Sequence, residues 1–365
     1  MTLQERLAGA TARETAPARF TRRAALGAAT LMFSGCAGAP MAPLRPRPGL
    51  EAALDLGLAQ SSTGLLIRER GRVLAERYAP GWDVDRPREV ASVAKSILAV
   101  LIAMAVEDGA ITSLDQAAAD FIPQWRSDAR AGITLRHLMS MTSGLDDAGL
   151  ALRGIVGDQF AINAAAPLRD APGTRWAYNT AGYHLLFHIL ERATSETVAA
   201  YARSRLIGPL GMTRTTWITS EGVGDQGAVT NYYSAVVTAR DLGRFGDLVL
   251  GGGVWNGRRL IGEESLQTLL RPSQDLNPSY GLLWWTNARP GADAFGRGHS
   301  LRFPSAPHDT VAALGTGGQM LLIVPSRALI IVRQGDAPRS ATLGDDLLSL
   351  ALGAPGGPKS GPSPA

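Results

Sequence analysis

The stretch Ser92-Val93-Ala94-Lys95, followed by the apolar run Ser96–Val106, decides how the rest of the chain is understood. Ser92 and Lys95 are three positions apart, so on a helix they share a face and their side chains can meet. A serine hydroxyl is a poor nucleophile until a base takes its proton, and a neutral lysine amine can be that base. Composition singles out this lysine. Of the 36 basic residues, 34 are arginines and only Lys95 and Lys359 are lysines. Lys359 sits in a Pro/Gly/Ser-rich tail, which leaves Lys95 as the only lysine of the folded body. A guanidinium stays protonated at any accessible pH, whereas a buried lysine can lose its proton. The spacing alone is a weak motif, since a serine three positions before a given lysine arises by chance about one time in fifteen. Segments farther along the chain have to decide the matter.

A chain of 365 residues, 45% hydrophobic and 19% charged, can bury a sizeable core as one large domain or two ordinary ones. Its positive charge is concentrated at the start: residues 1–35 carry five Arg and two Glu, a net +3 of the total +4. The remainder is close to neutral, with no basic stripe interleaved with aromatics, so nucleic acid is not an expected partner. Arg22-Arg23 precede the apolar segment Ala24–Phe33, which is too short for a bilayer span of about 20 residues. Residues 1–35 resemble a twin-arginine export signal. They lead into Phe33-Ser34-Gly35-Cys36, similar to a lipoprotein processing site, although Phe33 stands where leucine is preferred. Cys36 is thus a candidate for lipidation; the alternative is a small-residue cleavage site with an incidental cysteine. As the sole cysteine it excludes an intramolecular disulfide. The expected location is the periplasm, either free or anchored to a membrane through Cys36.

Residues 36–48 are Pro/Ala-rich and read as a tether, residues 49–352 as the folded domain, and residues 353–365 as a disordered tail. Leu50–Gln60 is an expected helix, and Gly64–Glu69 and Arg72–Tyr78 form a hairpin around Arg70-Gly71. The Ser92 helix ends near Asp108-Gly109 and is apolar nearly all round, hence central and buried. From Thr112 to Thr219 the pattern is mostly helical, with helices expected over Thr134–Met141 and Gly182–Thr194, and another follows over Thr238–Leu250. After Tyr280 strands are expected over Gly281–Thr286, Gln319–Val324 and Leu329–Arg333, then a closing helix over Leu343–Leu352. Strands at both ends with helices between predict an α/β (α+β) domain. In it one antiparallel sheet, built by the terminal segments, is flanked by helices, and the middle forms a helical lobe. The Ser92 helix then lies between sheet and lobe, facing the cleft.

A serine–lysine hydrolase needs a second proton-moving group and backbone N–H donors for an oxyanion. Tyr178, in the polar loop Pro172–Tyr183 ahead of a helix, can supply the first. Gly315-Thr316-Gly317-Gly318-Gln319 leads into a strand, and glycines there allow a substrate backbone to approach closely. Alone, a loop tyrosine is usually packing and a glycine cluster usually a turn.

Together and in this order, these segments resemble the serine β-lactamase and penicillin-binding superfamily. The likeness is to its class C-like branch of esterases and 6-aminohexanoate-dimer hydrolases, and it spans most of residues 58–335. It is carried by Ala91–Ser96, Ile133–Leu138 with Ser143-Gly144-Leu145, Pro172–Tyr183, Thr238–Leu242 with Phe245-Gly246, Tyr280–Trp285 and Gly317-Gly318-Gln319. The resemblance implies a β-lactamase-like fold with the active site in its cleft, Ser92 as acylated nucleophile, Lys95 as its proton partner and Tyr178 sharing the relay. It implies an oxyanion hole from the N–H groups of Ser92 and Gln319, each donor worth about 2.7–4 kcal/mol. Thr316-Gly317-Gly318 match the third motif.

Two positions depart from the family pattern. Thr180 stands where an asparagine is usual two residues after the tyrosine, and Thr316 stands where the family has Lys or His. Losing that cation removes a charge-assisted contact worth about 1.5–3 kcal/mol. The expected substrates are therefore carboxylic esters or small amides. Activity on D-alanyl peptides or β-lactams is one alternative, and a catalytically silent, lipid-tethered binder of peptidoglycan fragments is the other. No cofactor or metal is called for: His184 and His188 lack the glutamate of a zinc-helix motif and read as a partly exposed helical face. Asp146-Asp147 read as a solvated loop. Trp284 and Trp285 point to opposite strand faces, and which one lines the cleft is left open.

Overall fold

The computed structural model describes residues 48–147, 158–219, 222–223 and 232–353. The expected export signal, Cys36, the tether as far as residue 47 and the tail from residue 354 lie outside the described residues.

Helix α1 (Pro48–Ala59) starts two residues earlier than the sequence suggests, because Pro48 opens it, where a proline with no N–H to lose is favoured. Its Gly57 lies so close to the Leu65 side chain that a Cβ would collide with it. The helix thereby lies flat on strand β1 (Ser62–Glu69). Strand β2 (Arg72–Tyr78) returns after a two-residue turn in which Arg70 and Gly71 both have positive φ, 51° and 75°. Such turns match the twist of a hairpin.

Four strands from the far end of the chain complete the sheet: β3 (Trp285–Thr286), β4 (Val311–Gly315), β5 (Gln319–Val324) and β6 (Leu329–Gly335). The order is β2-β1-β6-β5-β4-β3, antiparallel throughout, with β1 against β6 in the register Leu66↔Val332. First and last strands are thus neighbours, which closes the sheet from both termini. One face is covered by α1 and the closing helix (Leu343–Leu352), the other by a helix over Ala239–Leu250 capped by Thr238. Gly243 and Gly246 let that helix settle against Leu66, Leu321 and Ile330.

Helix α2 (Val93–Glu107) is buried from Val93 to Ala105. A helix apolar on all sides needs covering on all sides. The sheet edge at β4 supplies one wall and helix α3 (Thr180–Thr194), from the helical lobe, supplies the other. Ser96 ties α2 to the segment before β3 by donating to the Leu283 carbonyl at 2.7 Å.

Three features depart from the sequence expectations, the first being β4 (Val311–Gly315), where no strand was expected. Gly281–Thr286 is a strand only at its last two residues, because Leu283 has φ 60° and Gly281 N–H turns back to the Trp284 carbonyl. A second, four-stranded sheet joins Arg88–Glu89, Tyr232–Val237, Thr216–Thr219 and Gly222–Val223 in that order. It is the platform from which the chain enters α2.

Since α2 has no solvent side to relax into, Leu101→Ala should destabilise the domain by about 2–5 kcal/mol, whereas Val73→Ala, at a residue 39% exposed, should stay within about 0.5 kcal/mol. Urea unfolding of both variants measures the contrast.

Candidate active site

The corner before α2 sets the nucleophile. Val90 N–H donates to the Ala235 carbonyl at 3.0 Å, and the Ala91 carbonyl accepts from Ser234 Oγ at 3.3 Å. Between these anchors Ala91 takes φ 47°, a left-handed conformation that an alanine rarely adopts. The turn leaves Ser92 as the N-cap of α2, half-buried, with Lys95 one turn on. Lys95 Nζ lies 3.2 Å from Ser92 Oγ.

Helix α3 delivers the second group. Asn179 caps it, accepting from Gly182 N–H while its own amide donates to the Leu145 carbonyl at 2.8 Å. Tyr178, one residue earlier, therefore has a fixed backbone, and its hydroxyl interacts with Ser92, which lowers its pKa against the effect of burial. Its ring stacks on Trp285 at 6.1 Å and meets Tyr280 edge-on at 6.2 Å. Trp285 is thus the cleft-side tryptophan, also carrying the Arg302 guanidinium over its ring at 4.0 Å, while Trp284 is fully buried against Phe245.

Lys95 is 3% exposed, with Nζ 4.0 Å from the Tyr183 ring centroid and 5.4 Å from that of Tyr178. Loss of hydration drives its pKa down to about 7, against a smaller opposing pull from Asp147. Burial drives Tyr178 the other way, up to about 12, partly offset by its interaction with Ser92. The two shifts separate the roles. Near neutrality a large fraction of Lys95 is a free amine, whereas only about one Tyr178 in 10⁵ is a phenolate. An amine so placed can accept a proton near neutrality, whereas a phenol so raised keeps its own.

Asp147 is a functional residue the sequence reading passed over. Instead of lying in a solvated loop, it accepts the N–H groups of Thr180 at 2.6 Å and Ala181 at 3.1 Å, at the N-terminus of α3. Burial raises its pKa, and the two N–H donors and Lys95 oppose that rise. Thr180 therefore serves the site through its backbone. His184 also departs from expectation: it is 8% exposed rather than on an open face, and burial, with Lys95 nearby, lowers its pKa to about 3. Neither carried a signal in the sequence: the partners of Asp147 are backbone N–H groups, and His184 offered only its helical position.

The glycine-rich segment is placed differently from the sequence expectation. Asn287 N–H donates to the Thr310 carbonyl, so even-numbered residues of β4 turn their peptide groups towards the β3 edge and odd-numbered ones towards β5. Gly315 thus faces its register partner Gln319, whose N–H is committed to the sheet. The Gln319 side-chain amide also turns inward, donating to the Gly335 carbonyl at 2.5 Å and accepting from its N–H at 3.2 Å. Beyond Ala312 the β4 edge is uncovered, and Thr316 N–H is the group at its end. A Cβ on Gly315 would collide with the Val90 carbonyl and sit 3.1 Å from Ser92 N. The strand thus crosses against Ser92 at Gly315, next to Thr316 in the chain, with the Gln319 Cβ on the same face, 3.2 Å from where a Gly315 Cβ would stand.

A hollow of about 450 Å³ adjoins this corner, lined by Trp82, Arg88, Ala91, Thr316 and Gln319 among others. Another of about 210 Å³ adjoins Tyr178 and Asp147. A third, of about 560 Å³ around Gly252, Glu263 and Thr310, is not lined by Ser92, Lys95 or Tyr178.

A family model described as beta-lactamase matches residues 50–348, the whole span from α1 to the closing helix. The chain belongs to the beta-lactamase family. Among curated relatives, esterase EstB of Burkholderia gladioli is 30% identical over 45% of this chain and 45% of its own, so the match spans less than half of that esterase. The 6-aminohexanoate-dimer hydrolase of Paenarthrobacter ureafaciens is 24% identical over 82% of this chain and 80% of its own. Among solved structures, a putative 6-aminohexanoate-dimer hydrolase from Bacillus anthracis superposes with a TM-score of 0.67 at 21% identity, covering 83% and 80% of the two chains. A class C beta-lactamase gives 0.65 at 16% identity over 86% and 98%. These likenesses establish the beta-lactamase fold.

Asp147 holds the Lys95 pKa up, so removing its charge should let it fall further. Asp147→Asn should move the acid limb of the pH–rate profile, the limb on which Lys95 loses its proton, to lower pH. A profile of kcat/KM from pH 5 to 9 on an activated ester reads this; an unmoved or upward-shifted limb refutes the coupling.

Proposed function

We propose that this chain is an exported serine hydrolase that works through an acyl-enzyme on carboxylic esters or small amides. The observation that carries the reading is the Ser92–Lys95–Tyr178 cluster, with the amine 3.2 Å from the hydroxyl and its pKa brought to about 7 by burial. In acylation, Ser92 Oγ forms a bond to the substrate carbonyl carbon as its proton passes to neutral Lys95 Nζ. The carbonyl electrons move to oxygen, held by the N–H groups of Ser92 and Thr316. Collapse expels the alkoxide or amine, which takes a proton through Tyr178 from the lysine ammonium. Water then repeats the sequence on the acyl-enzyme and releases the acid.

Thr316 N–H replaces Gln319 N–H as second oxyanion donor in this reading, because the free edge of β4 ends at Thr316. Esters and small amides are favoured over β-lactams because Thr316 supplies no cation for a substrate carboxylate. The names of the relatives, an esterase and a hydrolase of a linear amide dimer, point the same way. Export rests on Arg22-Arg23 with the segment that follows, and membrane anchoring on Cys36.

Ser92→Ala should abolish hydrolysis across a panel of short-chain esters, linear amide dimers and a chromogenic cephalosporin. Lys95→Arg keeps the charge but cannot accept the proton, so its kcat should fall by about 10³-fold or more. Normal turnover by the arginine variant would refute the role given to Lys95, and a cephalosporin outpacing every ester would refute the substrate class.

A further inference from the structure

Among the described residues, Arg333 on β6 is fully buried and forms no ion pair. Its neighbours along the strand are Ile330, Ile331 and Val332, so sheet packing alone would take another apolar residue. A buried guanidinium is tolerated only where its donors are satisfied. Here five acceptors meet five N–H groups. Nε donates to Ser62 Oγ at 2.9 Å; Nη2 donates to the Gln60 and Asp336 carbonyls, each at 2.8 Å; Nη1 donates to the carbonyls of Gly317 at 2.7 Å and Gly318 at 2.9 Å. Lacking a carboxylate, it has its pKa lowered by burial to about 10 and remains a cation.

The last two acceptors matter most. Gly317 and Gly318 lie directly after Thr316 in the β4–β5 turn, both with positive φ, 77° and 73°. A Cβ on Gly318 would stand 2.7 Å from Arg333 Nη1 and from Pro338, so glycine there answers to the arginine on the inner side of the turn. The Gln319 amide clasps the Gly335 backbone in the opposite direction, from β5 to β6. The turn is held from inside by two crossed contacts, and its outer side carries Thr316 N–H.

We propose that Arg333 is a positioning residue for the oxyanion site: by gripping the Gly317 and Gly318 carbonyls from within the sheet, it sets the orientation in which Thr316 N–H faces the space beside Ser92. This rests on the acyl-enzyme reading above and adds a residue that touches no substrate. Arg333 would then act on the transition state and leave substrate binding alone, because the oxyanion forms only there.

The test uses the full chain with Arg333→Lys, Arg333→Met and Ser62→Ala, the last removing one of the five acceptors without touching the turn. For folded Arg333 variants the expectation is a fall in kcat of about 10²-fold or more with KM within about 3-fold, and a matching loss of affinity for a boronic acid that forms a tetrahedral adduct at Ser92. Ser62→Ala should show the same pattern at about 3- to 10-fold. Should the Arg333 variants fail to fold, Ser62→Ala decides, and wild-type kcat with wild-type boronic acid affinity overturns the proposal. Folded Arg333 variants whose kcat is retained, or whose kcat falls with boronic acid affinity unchanged, overturn it as well. An inactive Ser92→Ala beside a fully active Arg333→Lys would remove this inference alone; an active Ser92→Ala would remove the reading beneath it.

Discussion

The rest of the site depends on one amine taken out of water. Hydration is what keeps a lysine protonated at neutral pH, and Lys95 has almost none. The aromatic rings of Tyr183 and Tyr178 form its walls, and the packing of α2 against α3 keeps those walls closed. A carboxylate bonded directly to Nζ would undo the effect by stabilising the ammonium. Asp147 does not: its two oxygens accept the Thr180 and Ala181 N–H groups, and it influences the amine only through space. The net charge around Lys95 is thereby low enough for a neutral amine and high enough for it to hold a proton during turnover.

A second constraint is steric. The base is useful only if the serine meets it, and the serine is delivered by a corner that an alanine adopts at some cost, held by the small second sheet through Ala235 and Ser234. Strain of this kind persists where the surroundings over-determine it. Gly315 is the counterpart on the other side of the cleft, since any side chain there would push β4 off the Ser92 peptide. The nucleophile, its base and the strand edge are thus fixed by backbone contacts before any substrate is bound.

Much of this was legible in the chain itself, and the reason differs from element to element. Ser92, Lys95 and Tyr178 could be singled out because their chemistry is carried by residue type, and a lone lysine among arginines is a chemical signal. The central helix and most of the main sheet were legible because their apolar runs are long and bounded by turns; β4 was not expected, because its Val311–Gly315 run is short and runs into glycines. The second sheet was not, because its strands are short and get their order from partners far away in sequence. Gly281–Thr286 alternates like a strand but spends its first half on a turn held by α2 and the Met139 carbonyl, a tertiary demand that overrides the local pattern. Asp147 looked like a solvated loop residue because its partners are backbone N–H groups, which leave no mark in sequence.

The glycine-rich segment shows where sequence reasoning reaches its limit. Residue type reveals that Gly315, Gly317 and Gly318 permit close approach, but not what approaches. Each answers to a different neighbour: Gly315 to the Ser92 corner, Gly317 to the Gln319 amide, Gly318 to Arg333 and Pro338. Which peptide N–H faces the cleft follows from strand parity, and parity is set by the pairing of β4 with β3 rather than by any side chain. A one-residue difference in that pairing would turn Thr316 N–H inward. The N–H group proposed as second oxyanion donor is therefore specified by the register of a sheet whose strands come from both ends of the domain. The cost of burying Arg333 is intelligible on the same terms, because a turn with two left-handed glycines has little else to hold its peptide planes in place.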